Sequence, residues 1–228
     1  MSLKIKGRRK IIEYSLILLC VVLFLVFLVR VITFENAYYN EKQGSERSVG
    51  AVVEIRDDLI EEKPSDDEVR EYTVAADRPR YLTINKLNVK NARVLPMGIN
   101  AKGELDTPQN IFDVGWYEAS GKPGQGGTMV IDGHNGGPHV HGVFKDLPAL
   151  AKGDEIKIER GDGKILKYSV VENTDVLLSE ADVYMAKAFR SPEAGKEALT
   201  LISCTGEWSQ TQGTYLSRQF TRAVLVDD

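Results

Sequence analysis

The stretch ALTLISCTGEW, residues 198–208, indicates the kind of fold that this chain forms. Its first six residues are apolar or carry hydroxyl groups, which predicts a buried β-strand over 198–203. Cys204 follows that strand and is followed by Thr205 and Gly206, so we expect its thiol to be reachable at a strand end. A buried cysteine is usually an inert small hydrophobe, whereas a reactive thiol needs a base or a cation beside it. Candidate partners for Cys204 must come from elsewhere in the chain.

A second stretch, GTMVIDGHNGG at residues 127–137, supplies a histidine. Its β-rich run over 128–131 leads into a glycine-rich loop that carries His134, and loops on a rigid scaffold often hold catalytic groups. A lone loop histidine is more often an ordinary surface residue. If the fold brings His134 to Cys204, however, the imidazole could activate the thiol. Asp132 would share a strand face with His134 and favour its imidazolium form if the two side chains approach each other.

The C-terminal run TYLSRQFTRAVLV, residues 214–226, carries two arginines. Strand alternation places Arg218, Phe220 and Arg222 on one face. An exposed arginine on a strand is usually only solvated, but beside a cysteine and a histidine its planar donors could bind a carbonyl or an oxyanion. The segment 205–217 that joins Cys204 to Arg218 is interpreted either as a mobile loop lining a groove or as an ordinary long hairpin.

Short alternating runs, separated by Gly, Asn, Asp and Pro, continue this pattern along the second two-thirds of the chain. We predict strands over 81–84, 92–96, 127–132, 155–159, 165–172, 198–203 and 220–226. Two helices are predicted between them, one over 143–150 that contains Pro148 and one over 179–189 that Ser179 caps. A domain of mostly short strands is typical of a β-barrel or a sandwich with small helices in the connections.

The N-terminal third has a different composition. Residues 14–29 contain no charge, and the apolar segment 11–34 is long enough to cross a bilayer. The first ten residues carry five Lys or Arg and no acid, which predicts a cytoplasmic N-terminus and an exported remainder. The alternative, a cleaved signal peptide, is disfavoured because no small-x-small site follows Arg30.

Residues 35–78 are polar and acidic, with nine acids and three bases between Glu54 and Glu71. We interpret them as an extracellular charged linker with a helix possible over 52–62, and alternatively as a docking segment. The predicted organisation is a basic tail over 1–10, a membrane anchor over 11–34, this linker over 35–78, and one folded domain over 79–228.

Composition excludes several functional classes. The 228 residues are 43% hydrophobic and 27% charged, as in globular proteins, and the net charge of −4 argues against nucleic-acid binding. Two cysteines, Cys20 and Cys204, exclude a disulfide-rich scaffold, and Cys20 falls inside the predicted anchor. A zinc site formed by His134, His139 and His141 is a weak alternative because Gly-Gly-Pro interrupts the spacing.

In their order along the chain, these motifs resemble the sortase family. The run TLISC at 200–204 is similar to the TLxTC motif, with Ser203 where the family usually has threonine, and GHN at 133–135 resembles the sortase histidine loop. The stretches LDTPQN at 105–110, GWY at 115–117 and PGQGG at 123–127 resemble the segments that precede the histidine in the family. Residues 143–154 are similar to the family's vF..L..L..GD pattern. The resemblance covers residues 79–226.

The resemblance implies an eight-stranded β-barrel and a cysteine transpeptidase. It implies that Cys204 is the nucleophile, that His134 is the acid and base, and that Arg218 supports the oxyanion, with Arg222 as the alternative arginine. Thr205, Trp208 and Arg222 are the expected substrate-binding residues, and no metal or other cofactor is expected.

The implied substrates are LPxTG-like sorting signals of surface proteins, cleaved between Thr and Gly. The acyl group then passes to an amine of a cell-wall precursor or a pilin, in a Gram-positive-type envelope with the anchor in membrane lipid. The subclass stays open, since no Asp-Pro-aromatic lid signature is evident near Asp77.

Two other functions remain open. One is a non-catalytic, membrane-tethered binding module on a sortase-like barrel, and the other is an exported Cys/His peptidase that only hydrolyses. A papain-like arrangement is disfavoured because His134 precedes Cys204 in the chain.

Overall fold

Eight β-strands close into a barrel in the computed structural model, which describes residues 59–100, 103 and 105–226. The strands are β1 (Pro79–Ile84), β2 (Val89–Met97), β3 (Val114–Tyr117), β4 (Thr128–Gly133), β5 (Glu155–Arg160), β6 (Ile165–Leu177), β7 (Ala198–Ser209) and β8 (Thr214–Leu225). Their order around the barrel is β1-β2-β3-β4-β7-β8-β6-β5. The predicted eight-stranded, mainly β fold is therefore confirmed.

The chain divides into two compact units, Met1–Val53 and Glu54–Asp228, and every described residue belongs to the second. The predicted basic tail and membrane anchor, together with most of the linker, lie outside the described residues. Within the part that is described, no helix has the length and apolar character needed to cross a membrane.

Alternation along each strand separates two apolar clusters. The larger one draws residues from all eight strands, including Leu82, Trp116 and Leu201, and so fills the interior of the closed barrel. The second, which we call the outer cluster, consists of Val130, Val176, Ala188, Ile202 and Phe220. Neighbours on β7 divide between the two clusters, as a period of two residues requires. The outer face of β4, β7 and β8 is thus apolar as well.

Two helices accompany the barrel in the described region. Helix α1 (Asp66–Glu71) lies in the predicted linker and begins with a capping box, in which Ser65 and Glu68 each bond the other's backbone. Helix α2 (Leu178–Ala188) covers the outer cluster, and the backbone carbonyl of Ala188 accepts a bond from Thr200 at 2.8 Å. The outer face of β7 is therefore covered where α2 ends.

Several predicted boundaries were wrong. Residues 59–62 are extended and not helical. The predicted helix over 143–150 is only a 3₁₀ turn, Leu147–Ala149, because Pro148 would fall in the interior of that helix, where it cannot donate a backbone hydrogen bond. Helix α2 begins one residue before Ser179, which makes no capping bond. The short strand β3 was not predicted as a strand, β6 and β7 extend beyond their predicted ends, and β8 begins before its predicted start.

A polar network ties β6 to the connection after β4. The Asn173 amide nitrogen donates to the carbonyls of Leu147, Pro148 and Leu150 at 3.2, 3.2 and 2.7 Å. Its oxygen accepts from Gln219 at 2.7 Å and from Thr221 at 2.6 Å. One side chain on β6 therefore satisfies polar groups from two other parts of the fold, the connection between β4 and β5 and strand β8.

Replacing this side chain should destabilise the barrel. In Asn173→Ala the partners of the amide lose their bonds, so we expect the free energy of unfolding to fall by about 1–3 kcal/mol. Both tryptophans of the chain, Trp116 and Trp208, lie in the barrel, so fluorescence during urea unfolding reports on this unit. Asp175→Ala, an exposed change on the same strand, is the control, and equal stability of the two variants would contradict the prediction.

Candidate active site

The site is built on two parallel neighbours, β4 and β7. Asp132 pairs with Ile202 in this ladder, and one residue further on the Ser203 hydroxyl donates to the carbonyl of Gly133 at 2.9 Å. Because parallel strands run in one direction, both chains leave the ladder region at the same end of the barrel. His134 follows Gly133 on one side and Cys204 follows Ser203 on the other. The fold thus brings the two sequence-predicted residues to neighbouring positions.

The antiparallel partner of β7 supplies the third residue. Cys204 lies directly opposite Arg218 in the β7–β8 ladder, two positions from the Ile202–Phe220 pair. Ile202 and Phe220 both belong to the outer cluster, so alternation also turns Cys204 and Arg218 outward. Asp132 lies two residues after Val130, another member of that cluster, and shares the same face.

The Arg218 guanidinium is held by its own strand. Nη1 donates to the carbonyls of Tyr215 and Ser217 at 2.8 and 3.0 Å, and Nη2 donates to the Thr214 hydroxyl at 3.0 Å. These bonds fix a permanent positive charge on the strand position opposite Cys204. A fixed cation there can bind a developing negative charge without first reorganising.

The His134 ring is oriented by a backbone carbonyl. Its Nε2 lies 2.7 Å from the carbonyl oxygen of Pro108, in the loop between β2 and β3. A carbonyl only accepts hydrogen bonds, so Nε2 carries a proton in this arrangement, and proton exchange at this ring takes place at Nδ1. The carbonyl therefore selects the tautomer of the histidine.

Three influences act on the Cys204 thiol, which is half-buried. Burial has the largest effect and raises the pKa of Cys204, because it disfavours the thiolate. The positive charge of Arg218 lowers that pKa, and the negative charge of Asp132 raises it. The resting thiol is thus kept protonated by burial, and Arg218 is the group that opposes this effect.

Asp132 is a buried acid on the site's own face. Burial raises its pKa well above the usual range, and the nearby Asp106 raises it further. Its carboxyl group lies over Gly115 on β3, where a Cβ atom would collide with it. Asp132 therefore carries less negative charge at a given pH than we expected from the sequence. Its predicted effect on the titration of His134 stays a prediction.

The hairpin beyond Cys204 holds two expected substrate-binding residues. Strand β7 continues to Ser209 and β8 begins at Thr214, so segment 205–217 is a hairpin with a short turn. Thr205 is half-buried opposite Ser217, and the ladder is irregular between Thr205 and Trp208. Trp208 is 48% exposed and packs edge-on against Tyr215 with 5.2 Å between ring centroids. Both Thr205 and Trp208 are accessible in this arrangement.

Arg222 has a different environment although it shares the face of Arg218. It is 7% exposed, its Nη1 pairs with Glu172 at 2.6 Å, and its Nη2 donates to the carbonyl of Arg190 at 2.9 Å. The guanidinium therefore holds β8 to β6 and to the segment after α2. This burial does not fit the role of substrate ligand that we expected for Arg222.

The histidines do not form a metal centre in the described part of the chain. His139 and His141 are exposed, and Nε2 of His141 lies 2.6 Å from the Lys145 amine. No group of three metal-ligating side chains occurs among the residues that the structure describes. Sequence reasoning also missed the Pro108 carbonyl, because a backbone contact leaves no side-chain signature.

The two charges near Cys204 should act on its reactivity in opposite directions. Arg218→Ala removes the cation that lowers the thiol pKa, so iodoacetamide alkylation at pH 7 should slow severalfold. Asp132→Asn removes the charge that raises this pKa, so alkylation should not slow and should become faster once Asp132 is ionised. Rate–pH profiles in a Cys20→Ser background, which leaves one thiol, measure both effects. Arg218→Lys is the charge-preserving control, and equal profiles for all variants would refute the assignment.

The raised pKa of Asp132 also predicts how stability changes with pH. At a pH above the pKa that Asp132 has in the unfolded chain, Asp132 keeps its proton in the folded state and has lost it in the unfolded state. The free energy of unfolding therefore falls by about 1.4 kcal/mol per pH unit until the folded-state pKa is reached. The Asp132→Asn variant has no carboxyl group at this position that can titrate. The free energy of unfolding of this variant should therefore increase relative to that of the wild type as the pH rises from 4. Urea unfolding at several pH values measures the difference, with Asp175→Asn as the control for loss of an exposed carboxyl group. Parallel curves for the wild type and Asp132→Asn would show that Asp132 titrates normally.

Comparisons with known proteins agree with this architecture. A family model described as the sortase domain matches residues 82–226. Sortase C-1 from Actinomyces oris superposes with a TM-score of 0.51 at 22% identity, covering 84% of this chain and 99% of its own. Sortase D5 from Clostridium perfringens has a TM-score of 0.46 at 22% sequence identity, and the match covers 72% of this chain and 91% of that one. Sortase C from Streptococcus pneumoniae has a TM-score of 0.49 at 19% sequence identity, and the match covers 74% of this chain and 76% of that one.

The similarity to sortase C-1 from Actinomyces oris concerns the fold alone, because the sequence identity is low. A search of curated proteins by sequence finds no match. The family model covers well over half of the chain and includes both His134 and Cys204. The chain belongs to the sortase family, a family of cysteine transpeptidases.

Proposed function

We propose that this protein is a membrane-anchored sortase that uses Cys204, His134 and Arg218 to transfer a sorting-signal peptide to an amine. The observation that carries the proposal is the double register of β7. Strand β7 pairs Cys204 with Arg218 in its ladder with β8, and its ladder with β4 ends at the Asp132–Ile202 pair, two residues before His134 and Cys204. In this proposal, the nucleophile Cys204, the acid–base group His134 and the oxyanion-binding Arg218 come from three adjacent chain segments on one face of the barrel.

In the first half-reaction, the proton of the Cys204 thiol passes to His134 and the thiolate attacks the Thr–Gly carbonyl carbon of an LPxTG-like signal. A C–S bond forms, and the negative charge that develops on the carbonyl oxygen is stabilised by the Arg218 guanidinium. His134 then donates its proton to the glycine nitrogen as the C–N bond breaks. A thioester on Cys204 and a peptide with a free amino terminus result.

In the second half-reaction, an acceptor amine attacks the thioester carbonyl and gives its proton to His134. The C–S bond breaks, the thiolate leaves, and the new amide joins the surface protein to the acceptor. The acceptor in this proposal is an amine of a cell-wall precursor or of a pilin. In this proposal the barrel lies outside the cell, because segment 11–34 anchors the chain in the membrane with its N-terminus inside.

Apolar side chains of the signal would lie along the outer face next to Cys204. The half-buried residues that border the outer cluster there are Leu105, Tyr117, Tyr184 and Met185. They come from the loop before β3, from β3 itself and from α2, so they border the cluster from two directions. On the other side of Cys204, the Trp208–Tyr215 pair offers an aromatic wall. A peptide crossing this face would contact both.

The test uses the full chain in detergent with a library of LPxTG-like peptides and amine acceptors. Mass spectrometry should detect a ligated product and a thioester on Cys204. Cys204→Ala should abolish both, and His134→Ala should lower the rate by about 10²–10⁴-fold. Arg218→Ala should lower it by about 10²–10³-fold, which is the usual loss when one oxyanion donor is removed.

Arg222→Ala is the matched control for Arg218→Ala. It should leave the rate per folded molecule within a fewfold of the wild type, although removing a buried ion pair should lower stability. A larger rate loss in Arg222→Ala than in Arg218→Ala would exchange their roles.

Two outcomes would favour the other functions. Cleavage that does not depend on any amine would indicate a peptidase that only hydrolyses. The burial of Cys204 is the observation that favours a non-catalytic binding module. A thiol that stays unreactive toward peptides and alkylating agents would support that module and overturn the proposal.

A further inference from the structure

An extended segment of the N-terminal part of the described chain, which we call the strap (residues 60–62), lies against the loop before β3. The Ile60 amide donates to the carbonyl of Gln109 at 2.9 Å, and the Ile60 carbonyl accepts from Ile111 at 3.1 Å. The Asn110 side chain donates to the carbonyl of Glu62 at 3.0 Å. The strap is thus hydrogen-bonded to the residues that directly follow Pro108, whose carbonyl orients His134.

The loop that begins at His134 is a narrow hairpin, which we call the histidine loop (residues 134–144). At its base the amide of Phe144 donates to the carbonyl of His134 at 3.0 Å. Near its tip the Gly137 amide donates to the Val140 carbonyl at 2.9 Å. Its base is anchored by Phe144, which is fully buried, whereas its tip projects from the barrel and carries exposed residues. A contact made at the tip would therefore add to the hydrogen bonds within the loop.

Glu61 provides that contact. Its Oε1 accepts hydrogen bonds from the backbone amides of His139 at 2.9 Å and Val140 at 3.3 Å. Two consecutive amides aimed at one carboxylate oxygen form a charge-assisted clamp, which is stronger than a bond between neutral groups. Gly137 leaves the space for it, because a Cβ atom there would collide with the Glu61 carboxylate. The strap therefore contacts both the tip of the histidine loop and the chain beside Pro108.

We propose that Glu61 is a positioning residue for His134. Its carboxylate fixes the histidine loop from the tip while the backbone of the strap fixes the segment that orients the imidazole. This inference rests on the proposed role of His134 in proton transfer, which tolerates little displacement of the ring. Nothing in the sequence distinguishes Glu61 from its acidic neighbours, since nine acids occur between Glu54 and Glu71.

The experiment compares four variants of the full chain in detergent. Glu61→Ala removes the clamp, and Glu61→Gln keeps an oxygen that can accept the same two bonds. Glu62→Ala is the matched control. The Glu62 side chain is exposed, and the hydrogen bond from Asn110 goes to the backbone carbonyl of Glu62, which the substitution keeps. Gly137→Ala approaches the clamp from the loop, since the added methyl group would displace the Glu61 carboxylate.

Hydrogen exchange followed by mass spectrometry should show faster exchange over 137–142 in Glu61→Ala and Gly137→Ala. Glu61→Gln and Glu62→Ala should stay near the wild type. Ligation should show kcat lowered about tenfold in the first two variants, with KM within twofold, since proton transfer and not peptide binding is affected. A fifth variant that combines Glu61→Ala with Gly137→Ala should be no worse than either single variant, because both changes remove the same contact.

Wild-type exchange and kcat in Glu61→Ala would overturn the proposal, and so would an equal effect of Glu62→Ala. If the wild type ligates no peptide, the proposed function fails separately. The exchange data and the NMR titration of His134 in the same variants then decide whether Glu61 positions the loop, and unchanged values in both would refute it.

Discussion

Parallel hydrogen bonding between β4 and β7 is the constraint on which the candidate active site depends. Parallel neighbours cannot be joined by a tight turn, so the chain between them must travel through other elements before it returns. Here it forms β5, β6 and α2 on the way. The long detour explains how residues 134 and 204 follow neighbouring strands although much of the domain separates them in sequence. It also leaves β7 with two different partners, β4 and β8, that each contribute one group.

The electrostatics of the site follow from where this meeting occurs. Both Cys204 and Asp132 lie on the outward face, yet both are removed from water, and the pKa of each group rises because burial disfavours its charged form. Arg218 opposes this effect for Cys204 because its charge does not depend on pH. The site thus resembles many catalytic centres, in which burial and one fixed charge compete over a nucleophile.

Sequence reasoning succeeded where a pattern repeats and failed where a contact depends on tertiary structure. The strands that alternate over several residues were found because burial on one face dictates their pattern. The four-residue strand β3 was missed as a strand because VGWY is too short to show a period. The predicted helix cap at Ser179 failed because α2 follows directly on β6 and begins at Leu178. The pattern Ser65-x-x-Glu68 indicates the capping box of α1, but the many acidic residues around it led us to interpret the segment as a linker.

The two arginines of β8 show why a shared face does not give a shared role. Arg218 and Arg222 point the same way, and the sequence offers no reason to distinguish their chemistry beyond their distance from the strand start. The two arginines differ in how far residues distant in sequence enclose their guanidinium groups. Glu172 on β6 and the segment after α2 enclose Arg222, so desolvating its charge is offset by an ion pair and a carbonyl bond. Arg218 lies beyond that cover, and its hydrogen bonds come from its own strand. Position along a strand therefore indicates whether an arginine is enclosed or accessible only once the helix packed on that strand is known.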